Sequence, residues 1–313
     1  MTIVDLSKVS CLIDEVSSVI LGKREVVQLT VAAILAGGHI LFEDVPGVGK
    51  TLLVKTIASA IQSDYNRIQC TPDLLPSDIV GVSIYDQVDH QFKFHQGPIF
   101  TSLLLADEIN RATPKTQSAL LEAMAERKVT VDNHTYLLPQ NFMLLATQNP
   151  FEFEGTFSLP EAQLDRFLMR LKIGYPNEED ELTLMTGGKR EAIPIRQILT
   201  LDELTAIKSQ VDNVFLHEKV AKYALALVRE TRNHEDILLG VSPRGSEDFV
   251  KAAKAYALTE ERDYVKPSDF QHLLLACFGH RIKLKSHKRL GETEVTSILM
   301  SIIESIPVPV GRD

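Results

Sequence analysis

Residues 40–52 read ILFEDVPGVGKTL. An apolar run typical of a β-strand enters a Pro/Gly turn, and the turn ends in Gly-Lys-Thr at the start of a segment with helical spacing. Strand, glycine loop and helix in this order predict a phosphate-binding P-loop. Gly47 and Gly49 carry no side chain, so backbone N–H groups can close around a phosphate at a helix N-terminus. Lys50 would contact the β- and γ-phosphates, and the Thr51 hydroxyl would bind Mg²⁺.

One position departs from the strict P-loop pattern. The pattern has glycine five residues before Gly49, where this chain has Asp44. For this stretch alone, the alternative is an ordinary strand-turn-helix with a chance Gly-Lys-Thr. The residues that follow along the chain decide between the two readings.

The composition is that of a soluble globular chain long enough for about two domains. It has 313 residues, of which 44% are hydrophobic and 24% charged. Acidic residues outnumber basic ones by 42 to 33 and give a net charge of −9, which argues against bulk electrostatic binding to nucleic acid or an anionic membrane. The nine histidines show no ligand spacing.

The cysteines and the first residues of the chain indicate where in the cell the protein is located. Cys11, Cys70 and Cys277 are far apart and are expected to be buried thiols in a reducing environment. The first residues show no signal-peptide pattern. No apolar run approaches the ~20 residues that a membrane span needs. We therefore expect a cytoplasmic protein without a membrane span.

Strand and helix patterns alternate up to about residue 176. The buried-type strand predicted at residues 101–108, with its apolar centre LLLA at 103–106, and the apolar run at 142–147 are typical of parallel strands covered on both faces. A hairpin is predicted across residues 129–138, and residues 91–94 read as one arm of another. The fold class predicted from this alternation is α/β with a doubly wound parallel sheet.

Beyond residue 177 the strand pattern is lost. Five amphipathic helical segments follow, at residues 178–187, 202–211, 217–232, 244–260 and 267–278. The sequence therefore predicts a nucleotide-binding core at residues 1–177 and a small all-α lid domain at residues 178–313.

Two carboxylates end the apolar strand that follows the P-loop unit. Asp107 can hold Mg²⁺ through its water shell, and Glu108 can polarise the attacking water. The alternative is that Asp107 and Glu108 are ordinary solvated acids at the end of a strand. Asn149 ends the next apolar strand, near the same crevice, where it could orient the lytic water. Its alternative role is a simple turn residue before Pro150.

Two arginines are candidates for contact with a γ-phosphate. Arg166 lies just before the last strand of the core, and Arg244 lies at a helix start in the lid. Arginines stabilise the charge of the transition state, and one supplied by a neighbouring subunit couples hydrolysis to assembly. The alternative for both is an ordinary surface arginine.

Six longer phrases occur in a fixed order. They are EDVPGVGKT at 43–51, TPDLLPSDI at 71–79, QGPIF at 96–100, DEINRA at 107–112, ATQNP at 146–150 and LPEAQLDRF at 159–167. With these phrases the chain resembles AAA+ ATPases of the MoxR family, in the clade with an insert in the second helix and a hairpin before sensor 1. The resemblance runs from about Gly22 to the end of the lid.

The resemblance implies a role for each matching position. Lys50 and Thr51 match Walker A, Asp107 and Glu108 match Walker B, and Asn149 matches sensor 1. Arg166 matches the arginine finger and Arg244 matches sensor 2, which acts either in its own subunit or in a neighbour. The turn at Gly22 matches the region that packs on adenine. The implied nucleotide-binding set is Gly22 with Pro46, Gly47, Val48, Gly49, Lys50, Thr51 and Leu52, and the implied metal ligands are Thr51 and Asp107.

The resemblance also implies a function. It indicates an ATPase that binds ATP or ADP with Mg²⁺, forms a ring, commonly a hexamer, and remodels protein partners bearing von Willebrand factor A domains. Two alternatives stay open. A nucleotide-gated switch with slow hydrolysis is disfavoured by the complete set of Glu108, Asn149 and Arg166. A DNA-directed motor is disfavoured by the acidic charge and by a hairpin tip that carries only His134 and no other basic residue.

Overall fold

The computed structural model describes residues 5–150, 155–186, 195–285 and 292–309. Its strands are β1 Ile40–Glu43, β2 Tyr65–Gln69, β3 Gly81–Asp86, β4 Gln91–Gln96, β5 Leu103–Asp107, β6 Lys128–Val131, β7 His134–Leu137, β8 Met143–Gln148, β9 Met169–Leu171, β10 Ile237–Leu239 and β11 Lys283–Leu284. Its helices are α1 Ser7–Val19, α2 Arg24–Leu35, α3 Lys50–Ala60, α4 Pro76–Val80, α5 Pro114–Glu126, α6 Glu161–Leu164, α7 Glu178–Met185, α8 Leu201–Val211, α9 Glu218–Asn233, α10 Pro243–Thr259, α11 Pro267–Phe278 and α12 Glu292–Ser305.

Five parallel strands form the central sheet, in the order β2-β5-β8-β1-β9. Successive residues of β5 pack on opposite faces: Leu103 and Leu105 join one hydrophobic cluster, and Leu104 and Ala106 join the other. Because both faces are covered, the strand is apolar throughout. The predicted α/β fold with a doubly wound parallel sheet is therefore confirmed.

Two antiparallel hairpins interrupt the alternation, where the resemblance places an insert in the second helix and a hairpin before sensor 1. The first pairs β3 with β4, and the second pairs β6 with β7. Asp132 and Asn133 form the second turn with φ of 48° and 64°, as a two-residue type I′ turn requires. Phe94 of the first hairpin stacks on Tyr136 of the second at 4.1 Å between ring centroids. The two hairpins are therefore in direct contact.

The lid is helical, as predicted, and the five predicted helices begin within one residue of their expected positions. The structure adds α12 and one short antiparallel pairing of β10 with β11. Strands of two and three residues are too short to show a period-two pattern in sequence. Among the described residues, no helix is long and apolar enough to cross a membrane.

The prediction of three buried cysteines was wrong for one of them. Cys70 and Cys277 are buried, and burial raises the pKa of each thiol to about 12. Cys11 is exposed. It lies on α1, whose buried face is formed by residues such as Leu12 and Val16. Cys11 therefore belongs to the solvent face of that helix.

Two histidines are buried between packed elements. The Nδ1 of His39, just before β1, accepts a hydrogen bond from the backbone N–H of Leu144 at 2.9 Å. Burial, reinforced by the positive charge of Arg127, lowers the pKa of His39 to about 3. Nε2 of His280 lies 2.9 Å from the carbonyl oxygen of Phe167, and burial lowers the pKa of His280 well below its usual value. Both side chains therefore resist protonation in the folded chain.

We expect the free energy of unfolding to decrease as the pH falls from about 6.5 towards about 3. In this window the unfolded chain takes up a proton at His39 that the folded chain does not, which costs up to about 1.4 kcal/mol per pH unit. Denaturant unfolding at several pH values measures the effect. His39→Asn, which keeps an acceptor near the Nδ1 position, should flatten the dependence, whereas His134→Asn at the exposed start of β7 should not. Identical pH dependence in His39→Asn and wild type would contradict this expectation.

Candidate nucleotide site

The P-loop connects β1 to α3. Gly47 and Gly49 have φ of 86° and 96°, in the left-handed region that favours glycine. A Cβ at either position would meet no atom within 4 Å. Gly49 immediately precedes α3, where the first backbone N–H groups have no partner within the helix. The loop therefore offers open space and unpaired donors, which fit a phosphate group.

The other predicted binding residues of this segment differ in their exposure. Pro46 and Leu52 are exposed, with Leu52 41% accessible. Val48 is half-buried and packs against the hydrophobic core, and Thr51 is half-buried in the first turn of α3. The contact of Val48 anchors the loop to the core while its glycines stay open to solvent.

Asp44, the departure from the P-loop pattern, is a buried structural link. Its Oδ2 accepts hydrogen bonds from the backbone N–H groups of Ile173 at 2.7 Å and Gly174 at 2.6 Å. Its Oδ1 accepts another from its neighbour Val45 at 2.8 Å. A glycine could make none of these side-chain contacts. The carboxylate therefore fixes the start of the P-loop to the segment that follows β9.

Lys50 points back along the loop. Its Nζ donates to the carbonyl oxygen of Asp44 at 2.9 Å. Burial lowers the pKa of Lys50, and the negative charges of Asp44, Asp107 and Glu108 act in the opposite direction. The P-loop ammonium and the two carboxylates that end β5 therefore belong to one electrostatic environment.

A threonine of the neighbouring strand joins the two carboxylates. Thr147 is 2% exposed. Its hydroxyl lies 3.2 Å from Asp107 Oδ1 and accepts a hydrogen bond from the backbone N–H of Glu108 at 2.9 Å. Glu108 adopts left-handed backbone angles, φ 55° and ψ 50°, which are costly for a residue with a side chain. The contact with Thr147 helps to hold this conformation, and the sequence analysis did not identify it.

Strand β2 supplies two further contacts that the sequence analysis missed. Arg67 Nε lies 2.6 Å from Asp107 Oδ2, and Gln69 Nε2 donates to Glu108 Oε2 at 2.8 Å. Arg111 Nη1 lies 3.0 Å from the same Glu108 oxygen. Arg67 and Gln69 are two residues apart on a strand and so share a face. That spacing was the only available signal, and it says nothing about which strand lies alongside.

Asn149 follows directly after β8, which lies between β5 and β1 in the sheet. It is half-buried. Its neighbour Gln148 donates from Nε2 to Glu43 Oε1 at 2.6 Å, across to the end of β1. Because parallel strands end at the same edge, Asn149, Glu108 and the P-loop all lie at one edge of the sheet.

Gly22 forms the turn between α1 and α2, with φ of 68°. A Cβ at this position would lie 2.0 Å from Asp180 Oδ2, so only glycine fits. That Asp180 oxygen is buried and has no hydrogen-bond partner within the described chain. The next residue, Lys23, donates from Nζ to the carbonyl oxygen of Tyr175 at 2.7 Å. Tyr175 follows Gly174, which Asp44 holds, so the Gly22 turn lies beside the start of the P-loop.

The two candidate arginines lie at the opposite edge of the sheet, where its parallel strands begin. Arg166 precedes β9, and its Nη1 donates to the carbonyl oxygen of Leu121 at 2.7 Å. Arg244 is exposed in the first turn of α10, and its charge helps to lower the pKa of His39, which precedes β1. The P-loop follows the last residue of β1. At about 3.3 Å per residue, the four-residue strand alone separates the two edges by about 13 Å.

The residues present fit Mg²⁺ as well as phosphate. Within the described ranges, no group of three or more His, Cys, Asp or Glu could hold a metal ion by itself. Mg²⁺ at nucleotide sites needs only one or two protein oxygens, because phosphates and water supply the rest. The carboxylate of Asp107 and the hydroxyl of Thr51 have the oxygen chemistry that this ion prefers.

Comparison with known proteins gives two family matches. Residues 39–169 match the ATPase family associated with various cellular activities (AAA), and residues 229–299 match the AAA lid domain. The first match contains the P-loop, both carboxylates, Asn149 and Arg166, and the second contains Arg244.

Three similar proteins cover nearly the whole chain. The uncharacterized protein YeaC of Bacillus subtilis is 46% identical over 96% of this chain and 94% of its own length. The chaperone MoxR1 of Mycobacterium tuberculosis is 38% identical over 94% of this chain and 81% of its own length. A crystal structure of a protein named as a candidate ATPase, from Cytophaga hutchinsonii, is 38% identical. It superposes with a TM-score of 0.88 over 97% of this chain and 96% of that one.

Proposed function

Because the chain belongs to the MoxR family of AAA+ ATPases, we propose that it hydrolyses the β–γ bond of ATP with Mg²⁺ in a ring of identical subunits. The energy released serves to remodel partner proteins. One observation carries the proposal: each copy has its P-loop at one edge of the sheet and two candidate arginines at the other. Copies arranged head to tail in a closed ring complete each other's sites. The ring proposed is a hexamer in the cytoplasm.

The proposed roles at one site come from two subunits. In the first, the P-loop and Lys50 bind the triphosphate, and Thr51 and Asp107 hold Mg²⁺, which neutralises developing charge on the phosphates. Glu108 polarises the attacking water and Asn149 orients it. In the second subunit, Arg166 and Arg244 supply positive charge to the γ-phosphate. The proposed division places the nucleotide-binding core at residues 1–177 and the lid at residues 178–313.

Exposed side chains on the two hairpins support the proposal that the partner is a protein. Phe92 and Val88 of the first hairpin are 72% and 88% exposed, and Leu137 of the second is 79% exposed. Large apolar side chains exposed on two elements that contact each other are candidates for protein–protein contact. The net charge of −9 disfavours DNA as the partner. A protein with a von Willebrand factor A domain is the partner proposed from the resemblance.

A nucleotide-gated switch is the second candidate function. It is favoured by the contacts of Gln69 and Arg111 with Glu108 Oε2. These contacts occupy an oxygen of the carboxylate that must polarise water, and so they favour slow hydrolysis. The two functions differ in the effect of a partner on turnover. A partner protein that raises the rate of hydrolysis would support the remodelling enzyme, whereas a rate unaffected by the partner would support the switch.

Lys50→Ala is expected to abolish ATP binding. The substitution removes the ammonium that faces the phosphates and its contact with the carbonyl oxygen of Asp44. Calorimetric titration with ATP and Mg²⁺ should show uptake by wild type and none by the variant at the same concentrations. Lys55→Ala, one turn and a half along α3 on an exposed position, is the matched control. ATP binding by Lys50→Ala at wild-type affinity would remove Lys50 from the site.

Sedimentation velocity tests the ring. With ATP and Mg²⁺, wild type is expected to sediment as a closed oligomer, and its ATPase activity per subunit should increase with protein concentration up to a plateau. That increase follows because Arg166 and Arg244 of a single copy lie at the edge of the sheet opposite its own P-loop. Constant activity per subunit in samples that sediment as monomers would contradict the proposal.

A further inference from the structure

A buried arginine of the lid, Arg281, lies between the segments that carry the two candidate arginines. Its side chain is 1% exposed. Its guanidinium makes five hydrogen bonds, which equals its number of N–H groups. Two of them go to the carbonyl oxygens of Leu168, at 3.2 Å, and Cys277, at 2.9 Å. The side chain therefore has no free donor and a single possible orientation.

The remaining contacts of Arg281 join two carboxylates. Nε lies 3.0 Å from Asp165 Oδ1, and Nη2 lies 2.5 Å from Asp248 Oδ2 and 3.1 Å from the carbonyl oxygen of Asp165. Asp165 is adjacent to Arg166 in the chain, and Asp248 lies on α10, one turn after Arg244. A buried guanidinium paired with two carboxylates in a fixed fork is a rigid connector.

A serine completes the same cluster. Ser242 Oγ lies 3.0 and 2.9 Å from the two carboxylate oxygens of Asp165. The same hydroxyl accepts from the backbone N–H of Gly245 at 3.0 Å and so caps α10, the helix that carries Arg244. A Cβ at Gly245 would lie 3.1 Å from Cδ of Arg281, so α10 packs closely on the guanidinium stem.

We propose that Arg281 is a positioning residue that holds Arg166 and Arg244 at a fixed separation, so that both enter the neighbouring subunit's nucleotide site together. The inference rests on the proposed function, because it requires that the two arginines act between subunits. Arg281 itself lies beneath the surface and touches no nucleotide. Its effect is on the geometry of charge stabilisation, where a displacement of about 1 Å can cost about 10²-fold in rate.

Arg281→Lys tests the proposal. Lysine keeps the positive charge, but its three donors cannot reproduce the five contacts. We expect kcat for ATP hydrolysis to fall by about 10²-fold, while KM for ATP and the affinity for ADP stay within about twofold, because the P-loop lies at the opposite edge of the sheet. A kcat within twofold of wild type would overturn the proposal.

A second arginine of the lid provides the matched control. Arg262 is also mostly buried and pairs with Asp269 through two hydrogen bonds, of 3.0 and 2.7 Å. It has no contact with Asp165 or Asp248 among those described. Arg262→Lys should lower thermal stability and leave kcat unchanged. Equal losses of kcat in Arg281→Lys and Arg262→Lys would mean a general effect of lid stability and would overturn the proposal.

Mixed rings separate a positioning defect from a folding defect. An Arg281→Lys subunit keeps its own P-loop, and a Lys50→Ala subunit keeps its arginines, so some mixed interfaces contain a complete site. At equal proportions about a quarter of the wild-type activity per subunit should return, since half of the subunits have a working P-loop and half of those adjoin intact arginines. A mixture no more active than its separate components overturns the inference.

The same mixing assay tests the premise that Arg166 and Arg244 act on the neighbouring subunit's nucleotide. If Arg166→Ala mixed with Lys50→Ala also regains activity, the arginines act between subunits, and a failure confined to Arg281→Lys belongs to this inference alone. If neither mixture regains activity while wild type hydrolyses ATP, the inter-subunit site of the proposed function is what fails.

Discussion

Replacing Arg166 with alanine is expected to lower kcat for ATP hydrolysis by about 10³-fold or more while leaving ATP affinity unchanged. The guanidinium lies about 13 Å or more from the P-loop of its own chain along the strand direction, so it cannot contribute to binding there. In a ring it would stabilise charge on the γ-phosphate of the neighbouring subunit. Steady-state ATPase assays give kcat, and titration with ADP gives the affinity.

The structure offers a control for Arg166→Ala. Arg166 donates to the carbonyl oxygen of Leu121, and loss of that bond should cost only about 1 kcal/mol of stability. Arg229→Ala removes an exposed arginine on α9 of the lid and should keep wild-type kcat. Arg166→Ala with wild-type turnover would show that the arginine finger is wrongly assigned. Loss of ADP affinity in the same variant would place Arg166 at its own nucleotide.

Glu108→Gln is expected to bind ATP as wild type does and to lose about 10²- to 10⁴-fold in kcat. The amide cannot accept a proton from water, yet it has nearly the same shape as the carboxylate. It can still accept hydrogen bonds at the oxygen that Gln69 and Arg111 contact. Binding should therefore survive because Lys50, Thr51 and Asp107 are untouched. Single-turnover hydrolysis and calorimetric binding of ATP measure the two effects separately.

Glu122→Gln makes the same chemical change on an exposed position of α5 and should leave kcat at its wild-type value. A Glu108→Gln variant with undiminished, Mg²⁺-dependent hydrolysis would remove Glu108 from its proposed role. Trapping of ATP in the variant has a further use, because an ATP-bound ring that does not turn over is the best sample for sedimentation.

The order of the strands explains what the sequence analysis missed at the site. The neighbours of β5 in the sheet are β2 and β8, and neither is adjacent to it in sequence. Arg67, Gln69 and Thr147 contact the carboxylates only because of this order. The residue types were visible in the sequence, but strand patterns carry no information about which strands lie side by side. Asp180 beside Gly22 was missed because more than 150 residues separate them, and no local pattern predicts that helix α7 packs on the turn between α1 and α2.

The sequence by itself determined the P-loop, the continuous apolar strands and the helical lid. These features are local: glycine freedom, helix and strand periodicity and the chemistry of Lys50, Thr51 and Asp107 are set by neighbouring residues. Only the tertiary structure decided that Asp44 ties the P-loop to the end of β9, and that Arg166 and Arg244 share the edge opposite the P-loop. Those facts depend on how distant segments pack, because a parallel sheet places the starts and ends of all its strands at opposite edges.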